Sequence, residues 1–222
     1  MTARQNRTPQ QTTCSGPSPA FCLTVLLATA FMISAVPGLA FANGKPADKP
    51  ILLVVASRDF DFPEYRQITD VLAAQRCAAV IASTETTQAV ATNDSLIKPN
   101  VLLGEVNAAD YSALILIGGV GSILFWDDST ALGLAHDFAN AKGPAIGAIG
   151  LAPLVLAKAG LLKGRSAAVY NDPKAAKIMA DNGARSSFRD VVVDGQFITA
   201  NGADAASKFA RAIAKRVTTG NW

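Results

Sequence analysis

The segment from Ala148 to Pro153, Ala-Ile-Gly-Leu-Ala-Pro, lies where a chain of this type could hold a reactive side chain. It follows an apolar run, Ala145–Ile149, and it opens a helix-like stretch, Leu154–Gly160. A buried strand that turns sharply into a helix is where many α/β enzymes hold a nucleophile, beside helix N-terminal amides. The residue at this turn is Gly150, which has no side chain to react. The segment therefore predicts the architecture of an active site without its nucleophile.

The position of Gly150 also predicts its backbone conformation. A nucleophile elbow typically forces a positive φ on its central residue, which costs a non-glycine residue about 1–3 kcal/mol. Glycine adopts that conformation without a Cβ penalty. We therefore expect Gly150 to have a positive φ in an elbow that has become a structural turn.

Asp61 is the carboxylate that could serve such a site. The run Asp61-Phe-Pro-Glu64 is also typical of a helix start, with Asp61 as the cap, Pro63 in the first turn and Glu64 reaching back. A capping role and a site role are both open for Asp61, and they are compatible if the cap faces a pocket.

Other reactive residue types are sparse. Cys77 begins an apolar run and is expected to be a buried core thiol, whereas His136 is expected on the surface of a helix. Ser122 follows a glycine turn but has no assignable base. The run Gly119-Val-Gly121 is not a dinucleotide fingerprint, because its third glycine position is Leu124. We expect no cofactor and no metal.

The first 42 residues are predicted to be a secretory signal peptide. Residues 1–20 are polar and contain two arginines but no acidic residue, and residues 21–36 are apolar and uncharged. Ala40 and Ala42 then form a small-x-small cleavage site. The alternative is an uncleaved signal anchor that tethers the protein to a membrane. Cleavage after Ala42 is the preferred interpretation, and it predicts a secreted or periplasmic protein.

The charge balance of the remaining chain excludes some partners. The full chain has 20 basic and 17 acidic residues, for a net charge of +3. Since Arg4 and Arg7 leave with the signal peptide, 18 basic and 17 acidic residues remain, for a net charge of +1. No nucleic-acid partner and no membrane partner after cleavage are expected from this balance. Cys77 is the one cysteine left, so an internal disulfide is excluded.

Alternating apolar runs and helix-period segments predict how these residues are positioned. Strands are expected at 51–56, 77–82, 113–117, 145–149 and 167–170, and helices at 63–76, 130–141 and 205–217. Residues 191–199 are predicted to form a hairpin with its turn at Asp194-Gly195, and residues 84–106 are expected to be loop and edge strand. After a short linker, 43–49, residues 50–218 are thus expected to form one doubly wound α/β domain with a mostly parallel sheet.

The order and spacing of several motifs resemble the DJ-1/PfpI family (ThiJ/PfpI) of the class I glutamine amidotransferase-like superfamily. The motifs are Ile51–Ser57, Tyr111–Gly119, Trp126–Asp128, Pro153–Ala157, Gly160–Gly164 and Val191–Thr199. The resemblance implies a flavodoxin-like sandwich and a homo-oligomer. It also implies a site with a Cys at the elbow, often a His after it, and an early Glu that holds the Cys as thiolate.

This chain departs from that pattern at the residues that react. Gly150 stands where the family has its Cys, and Leu151 stands where it often has a His, whereas Pro153 is retained. The early Glu of the family falls at or near Asp61. Gly118 and Gly119 match the family's Gly-Gly turn, whose amides can face an oxyanion. We therefore expect a ligand site at Asp61, Gly118, Gly119, Gly150 and Leu151, with no intact catalytic set.

Three functions remain open. The first is an exported, non-catalytic protein that binds a small molecule or a partner at the elbow, as a pseudoenzyme does. The second is a hydrolase or lyase of the same family (glyoxalase, deglycase or peptidase-like) that works without a thiol, through Asp61 and backbone amides. The third is a chaperone-like oligomer. The missing Cys and His favour the first and third over the second.

Overall fold

The computed structural model describes residues 48–141 and 143–220. The predicted signal peptide and residues 43–47 of the predicted linker lie outside these ranges. Within them, no helix combines the length and the apolar composition needed to cross a membrane.

The strands are β1 to β12 in chain order, and the helices are α1 to α5. The strands are Ile51–Val54, Arg58–Phe60, Ala79–Ser83, Ala89–Ala91, Leu96–Ile97, Val101–Leu102, Ala113–Leu116, Ala145–Ile149, Ser166–Ala168, Arg185–Ser187, Val191–Asp194 and Phe197–Ala200. The helices are Phe62–Ala74, Ser129–Asn140, Pro153–Lys158, Pro173–Asp181 and Ala203–Thr219. Three 3₁₀ segments, Leu103–Glu105, Ala108–Asp110 and Val120–Phe125, lie between them.

Seven strands form the central sheet, in the order β11-β12-β8-β7-β1-β3-β6. All neighbouring strands run parallel except β11 and β12, which form the predicted hairpin. The strand order reverses beside β1, and the carboxyl ends of β1, β7 and β8 meet at one edge, because Leu116 lies opposite both Val54 and Ala148. In doubly wound folds, ligand sites lie at this edge.

Helices cover both faces of the sheet. On β1, the side chains of Ile51 and Leu53 pack in the core beneath α1 and α5, and those of Leu52 and Val54 pack in the core beneath α2, α3 and α4. This alternation explains why the strand is apolar at every position. The mostly parallel, doubly wound sandwich predicted from the sequence is confirmed.

A glycine in the middle of β8 brings α5 close to the sheet. A Cβ on Gly147 would lie 2.5 Å from Cδ1 of Ile213 and 2.8 Å from Cζ of Phe209, both on α5. Because Gly147 has no side chain, the Phe209 ring packs directly on the strand backbone. This contact lies three residues before Gly150.

Several boundaries differ from the sequence prediction. Cys77 was expected in a strand, but β3 begins at Ala79, and Cys77 lies in the short connection between α1 and β3. Helix α4 and strand β10 were not predicted, although Asp172 and Pro173 supply an N-cap and a first-turn proline for α4. The region 84–106 contains short strands, of which β4 and β5 join β2 in a second, three-stranded sheet.

Candidate functional site

The elbow has the predicted strand-turn-helix geometry. Strand β8 ends at Ile149, α3 begins at Pro153, and Gly150 between them has a φ of 62°. The Gly150 amide donates to the carbonyl oxygen of Ala200 at 3.0 Å, and its carbonyl oxygen accepts from the amide of Tyr170 at 2.8 Å. The predicted positive φ is therefore confirmed, and both neighbouring segments hold the turn in place.

The carboxyl group packed against this turn belongs to Glu64, in the first turn of α1. Its side chain is 2% exposed. Its Oε2 atom accepts a hydrogen bond from the amide of Gly118 at 2.9 Å. A Cβ placed on Gly150 would overlap Oε1 of Glu64. The side chain of Glu64 thus lies in the space that a side chain at the elbow would use.

Burial sets the protonation state of this group. Removal from water, together with the negative charge of Asp61, raises the pKa of Glu64 to about 8, although the hydrogen bond from Gly118 opposes the shift. Glu64 is therefore mainly a neutral carboxylic acid at pH 7. Since Oε2 accepts from Gly118, the proton is placed on Oε1, the oxygen that faces Gly150.

Asp61 is the N-cap of α1, as one of the two open interpretations expected. Its Oδ1 accepts from the amide of Glu64 at 2.9 Å. The capping box also predicts that the side chain of Glu64 accepts from the amide of Asp61. That prediction is wrong, because the amide of Asp61 donates to the carbonyl oxygen of Gly118 instead. Asp61 also borders the cavity described below, so the cap does face a pocket. The carboxyl group that contacts the elbow is nevertheless that of Glu64 and not that of Asp61.

The two glycines after β7 pass close to other backbone segments. A Cβ on Gly118 would lie 2.6 Å from the Ile149 carbonyl oxygen and 2.7 Å from Oε2 of Glu64. Gly119 has a φ of 101°, and a Cβ there would lie 2.6 Å from the amide nitrogen of Asp61. The prediction that the Gly118 amide faces an oxyanion is wrong in this structure, because that amide donates to Glu64.

A cavity of about 580 Å³ lies above the elbow at the carboxyl edge of the sheet. Of the predicted site residues, Asp61, Gly119, Gly150 and Leu151 line it, whereas Gly118 does not. Glu64 lines it as well. The remaining lining residues include polar and apolar side chains, and they are Thr92, Val120, Tyr170, Asn171, Asp190, Asn201, Gly202, Ala203 and Asp204. The volume suits a small organic molecule.

The other reactive residues lie elsewhere. Cys77 is 4% exposed and follows the C-terminal end of α1, at the other end of the helix from Glu64, and burial raises the pKa of its thiol. A 13-residue helix is about 20 Å long, so Cys77 cannot reach the cavity. His136 is exposed on α2. Ser122 is buried and donates to the carbonyl oxygen of Gly119 at 2.8 Å.

Glu64 is the site residue that the sequence interpretation assigned only to capping. Its neighbours give the signal that could have found it. Glu64, Ile68 and Leu72 are four residues apart, and all three are buried on the core face of α1. A carboxylate on the apolar stripe of an amphipathic helix indicates a buried ionisable group, and such groups concentrate at functional sites.

Two known proteins have sequences similar to that of this chain. The chain is 34% identical over 172 residues to an uncharacterized protein of Methanocaldococcus jannaschii. This alignment covers 77% of this chain and 83% of the relative. It is 29% identical over 166 residues to protein dj-1beta of Drosophila melanogaster. That alignment covers 74% of this chain and 88% of the Drosophila protein.

Two solved structures are similar to this chain in both fold and sequence. The crystal structure of a ThiJ/PfpI domain protein from Brachyspira murdochii superposes with a TM-score of 0.71 at 26% identity, covering 75% of this chain and 95% of that one. The crystal structure of Drosophila melanogaster DJ-1beta superposes with a TM-score of 0.69 at 29% identity, covering 78% and 91%. The sequence profile of the DJ-1/PfpI family matches residues 49–216. The chain is therefore a member of the DJ-1/PfpI family.

Proposed function

We propose that this protein binds a small molecule in the cavity at the elbow and performs no thiol chemistry there. The observation that carries the proposal is the pair Gly150 and Leu151, which line the cavity at the positions where the family has a Cys and often a His. A cysteine nucleophile requires a thiolate near a base or a helix N-terminus. Cys77 is buried away from the cavity and does not supply one.

The cavity itself supports binding. It combines a volume of about 580 Å³ with a wall in which amide, hydroxyl and carboxyl groups lie among apolar side chains. Glu64 is fixed at its base by the Gly118 amide, and Asp61 is fixed by capping α1. Polar groups that are held before a ligand arrives lose little freedom on binding, which favours affinity.

A thermal-shift screen of small metabolites against the full chain tests this proposal. Thr92→Trp places a large side chain at the exposed wall of the cavity, and Thr87→Trp makes the same change at an exposed threonine outside it. A true ligand raises the midpoint of the parent protein and of Thr87→Trp, but not that of Thr92→Trp. A screen without any hit of this type would contradict the proposal.

Catalysis without a thiol is the second candidate, and the pKa of Glu64 favours it. An acid with a pKa of about 8 at a cavity wall can exchange protons near neutral pH, which general acid–base catalysis requires. In this candidate Glu64 takes the role that the sequence interpretation gave to Asp61. A panel of glyoxalase, deglycase and peptidase assays tests it. Activity that survives repurification and is lost in Glu64→Gln would establish this candidate in place of the non-catalytic one.

We also propose that the protein is exported and forms a homo-oligomer, as its leader-like N-terminal residues and its family suggest. Sedimentation velocity of the purified protein tests the second part. A single species with the mass of one chain at micromolar concentration would contradict it.

A further inference from the structure

An asparagine followed by a glycine lies in the wall of the cavity. Asn201 and Gly202 connect the end of β12 to the start of α5, and both residues line the cavity. Both are also partly exposed, so solvent water reaches them. In such a pair the backbone amide of the second residue can attack the asparagine side chain, because glycine has no Cβ to hinder the approach. The pair is therefore a candidate site of covalent change.

The backbone explains why a glycine follows Asn201. Gly202 is the residue before the first turn of α5 and has a φ of 152°. Residues with a Cβ rarely adopt this conformation, whereas glycine adopts it without a steric penalty. The turn from β12 into α5 thus requires glycine at position 202, and the asparagine before it is left beside an unhindered amide.

The two groups that would react have no partners. Within residues 48–141 and 143–220, no group accepts a hydrogen bond from the amide of Gly202, and none forms one with the side chain of Asn201. The backbone amide of Asn201 donates to the carbonyl oxygen of Asp190 at 3.0 Å, and the carbonyl oxygen of Gly202 accepts from the amide of Ala205 at 2.9 Å. The main chain is therefore held on both sides of the pair, while the attacking nitrogen and the side chain are free.

A second pair of the same type, Asn182-Gly183 at the end of α4, has the opposite arrangement. Nδ2 of Asn182 donates to the carbonyl oxygen of Ile178 at 2.8 Å. The amide of Gly183 donates to the carbonyl oxygen of Ala180 at 2.9 Å. An attack at this pair must first break two hydrogen bonds that stabilise the fold. The two pairs thus have the same sequence and differ in the hydrogen bonds of the groups that react.

We propose that Asn201 undergoes deamidation in the folded protein and that Asn182 is protected from it. The amide nitrogen of Gly202 gives its proton to a base in the solvent and forms a bond to Cγ of Asn201. The bond from Cγ to the side-chain nitrogen breaks, and this nitrogen takes a solvent proton and leaves as ammonia. Water then opens the cyclic imide at either of its carbonyl carbons. Asparagine and water are thereby converted to aspartate or isoaspartate and ammonia, without oxidation or reduction.

The reaction changes the cavity wall in two ways. Either product adds one carboxyl group to a wall that already contains those of Asp61, Glu64, Asp190 and Asp204. Isoaspartate also places one additional carbon atom in the main chain between β12 and α5. Both changes occur whether or not the cavity binds a small molecule, so they are independent of the function proposed above.

Peptide mapping of the full chain in water enriched in heavy oxygen tests this proposal. Solvent oxygen enters only those residues that deamidate during the incubation. In urea at mildly alkaline pH, both pairs should take up the label at similar rates, because their dipeptides are identical. In the folded protein, Asn201 should react about tenfold or more faster than Asn182, since two hydrogen bonds protect Asn182. A third pair, Asn43-Gly44, lies outside the described residues and is read as a separate peptide.

Two matched variants assign the label to its residue. Asn201→Gln retains the amide on a longer side chain and should abolish the uptake of label at this position. Asn182→Gln makes the same change at the protected pair and should leave the rate at Asn201 unaltered. If a variant does not fold, the two rates in the folded parent protein decide the question. Equal rates at the two pairs in the folded protein, faster reaction at Asn182, or no reaction at Asn201 would overturn the proposal.

Discussion

The carboxyl group of Glu64 occupies the space that a side chain at Gly150 would need. Two separate features of the structure thus disfavour a side chain at the elbow. The first is the φ of 62° at Gly150, and the second is the oxygen atom of Glu64 held by the Gly118 amide. The two contributions can be separated by experiment.

Replacement of Gly150 by Ala should destabilise the fold more than the same change at Gly160. Gly160 has a φ of 73°, but a Cβ there would meet no atom within 4 Å, so Gly160→Ala measures the backbone cost alone, about 1 kcal/mol. The overlap with Glu64 should add about 1 kcal/mol or more at Gly150. Urea unfolding of the two variants measures the difference. Equal costs would mean that the Glu64 carboxyl group moves aside freely.

The parent protein should lose stability as the pH rises from 4.5 to about 8, because Glu64 must then give up its proton or remain protonated at a cost. Replacement of Glu64 by Gln should remove this loss. The pKa of Glu64 is about 8 in the fold, against 4.5 for an ordinary Glu, so the folded state retains a proton that the unfolded state loses. The favourable contribution of this proton is complete below pH 4.5 and is lost as the pH rises to about 8. The total loss is up to about 5 kcal/mol.

The measurement for Glu64 is the free energy of unfolding in urea at a series of pH values. The stability of Glu64→Gln relative to the parent should rise across this window and be constant beyond it. Glu105→Gln, on the surface, serves as the control for the chemical change. A parallel pH dependence in the parent and Glu64→Gln would contradict the buried, protonated state.

Two further glycines form a matched pair that tests the close approach beside the cavity. A Cβ on Gly121 would overlap the carbonyl oxygen of Arg58 and lie 2.8 Å from Cβ of Ala56, so Gly121→Ala should cost about 2–3 kcal/mol. Gly133 lies in α2, where a Cβ meets nothing within 4 Å, and Gly133→Ala should stabilise by about 0.5–1 kcal/mol. Thermal unfolding of both variants checks the opposite signs. If Gly121→Ala does not lower the stability, the carbonyl oxygen of Arg58 must lie farther from Gly121 than it does in this structure.

The sequence predicted the regular elements well where periodicity was strong. Strand β8 was placed at its observed bounds, and the hairpin of β11 and β12 was predicted with its turn one residue too early, because Asp194 pairs with Phe197 and the turn consists of Gly195 and Gln196. Strand β2 was not predicted, and β4 and β5 were covered only by the expectation of edge strand within 84–106, because two or three residues are too few to establish an alternation. Helix α4 has only 9 residues, of which Ala175 and Met179 are buried, so its helical period extends over little more than two turns.

The site was predictable in outline and not in detail. The elbow and its positive φ follow from the local residues Ala148–Pro153, since a strand and a helix must be joined there. The role of Glu64 depends on a contact with Gly118, 54 residues away, which local sequence does not encode. Asp61 and Glu64 both satisfy the capping pattern, so the pattern alone could not decide which carboxyl group faces the elbow.

The thiol of Cys77 should resist alkylation in the folded protein. It is 4% exposed, and burial raises its pKa, so little thiolate is available to react. Iodoacetamide at pH 8 should leave the peptide that contains Cys77 unlabelled in native protein and label it in urea, as read by mass spectrometry. Any activity of the protein should be unaffected by the reagent. Rapid labelling of the native protein would contradict the burial of this thiol.

The mature protein should begin at Asn43. The small residues Ala40 and Ala42, which follow an apolar stretch, predict cleavage after Ala42. The intact mass of the protein recovered from its host, combined with N-terminal peptide sequencing, checks the position. Recovery of a membrane-bound chain that begins at Met1 would instead support the signal anchor.

The contact of α5 with Gly147 makes the dimensions of the cavity depend on a residue that does not line it. Helix α5 rests on Gly147 through Phe209 and Ile213, and its first turn carries Asp204 to the cavity wall. A rigid helix that is lifted near its middle also moves at its end. A larger side chain at position 147 is therefore expected to move Asp204 through the tilt of α5, with every wall residue unchanged. The position of an acidic group at the cavity is thus set partly in the interior of the sheet.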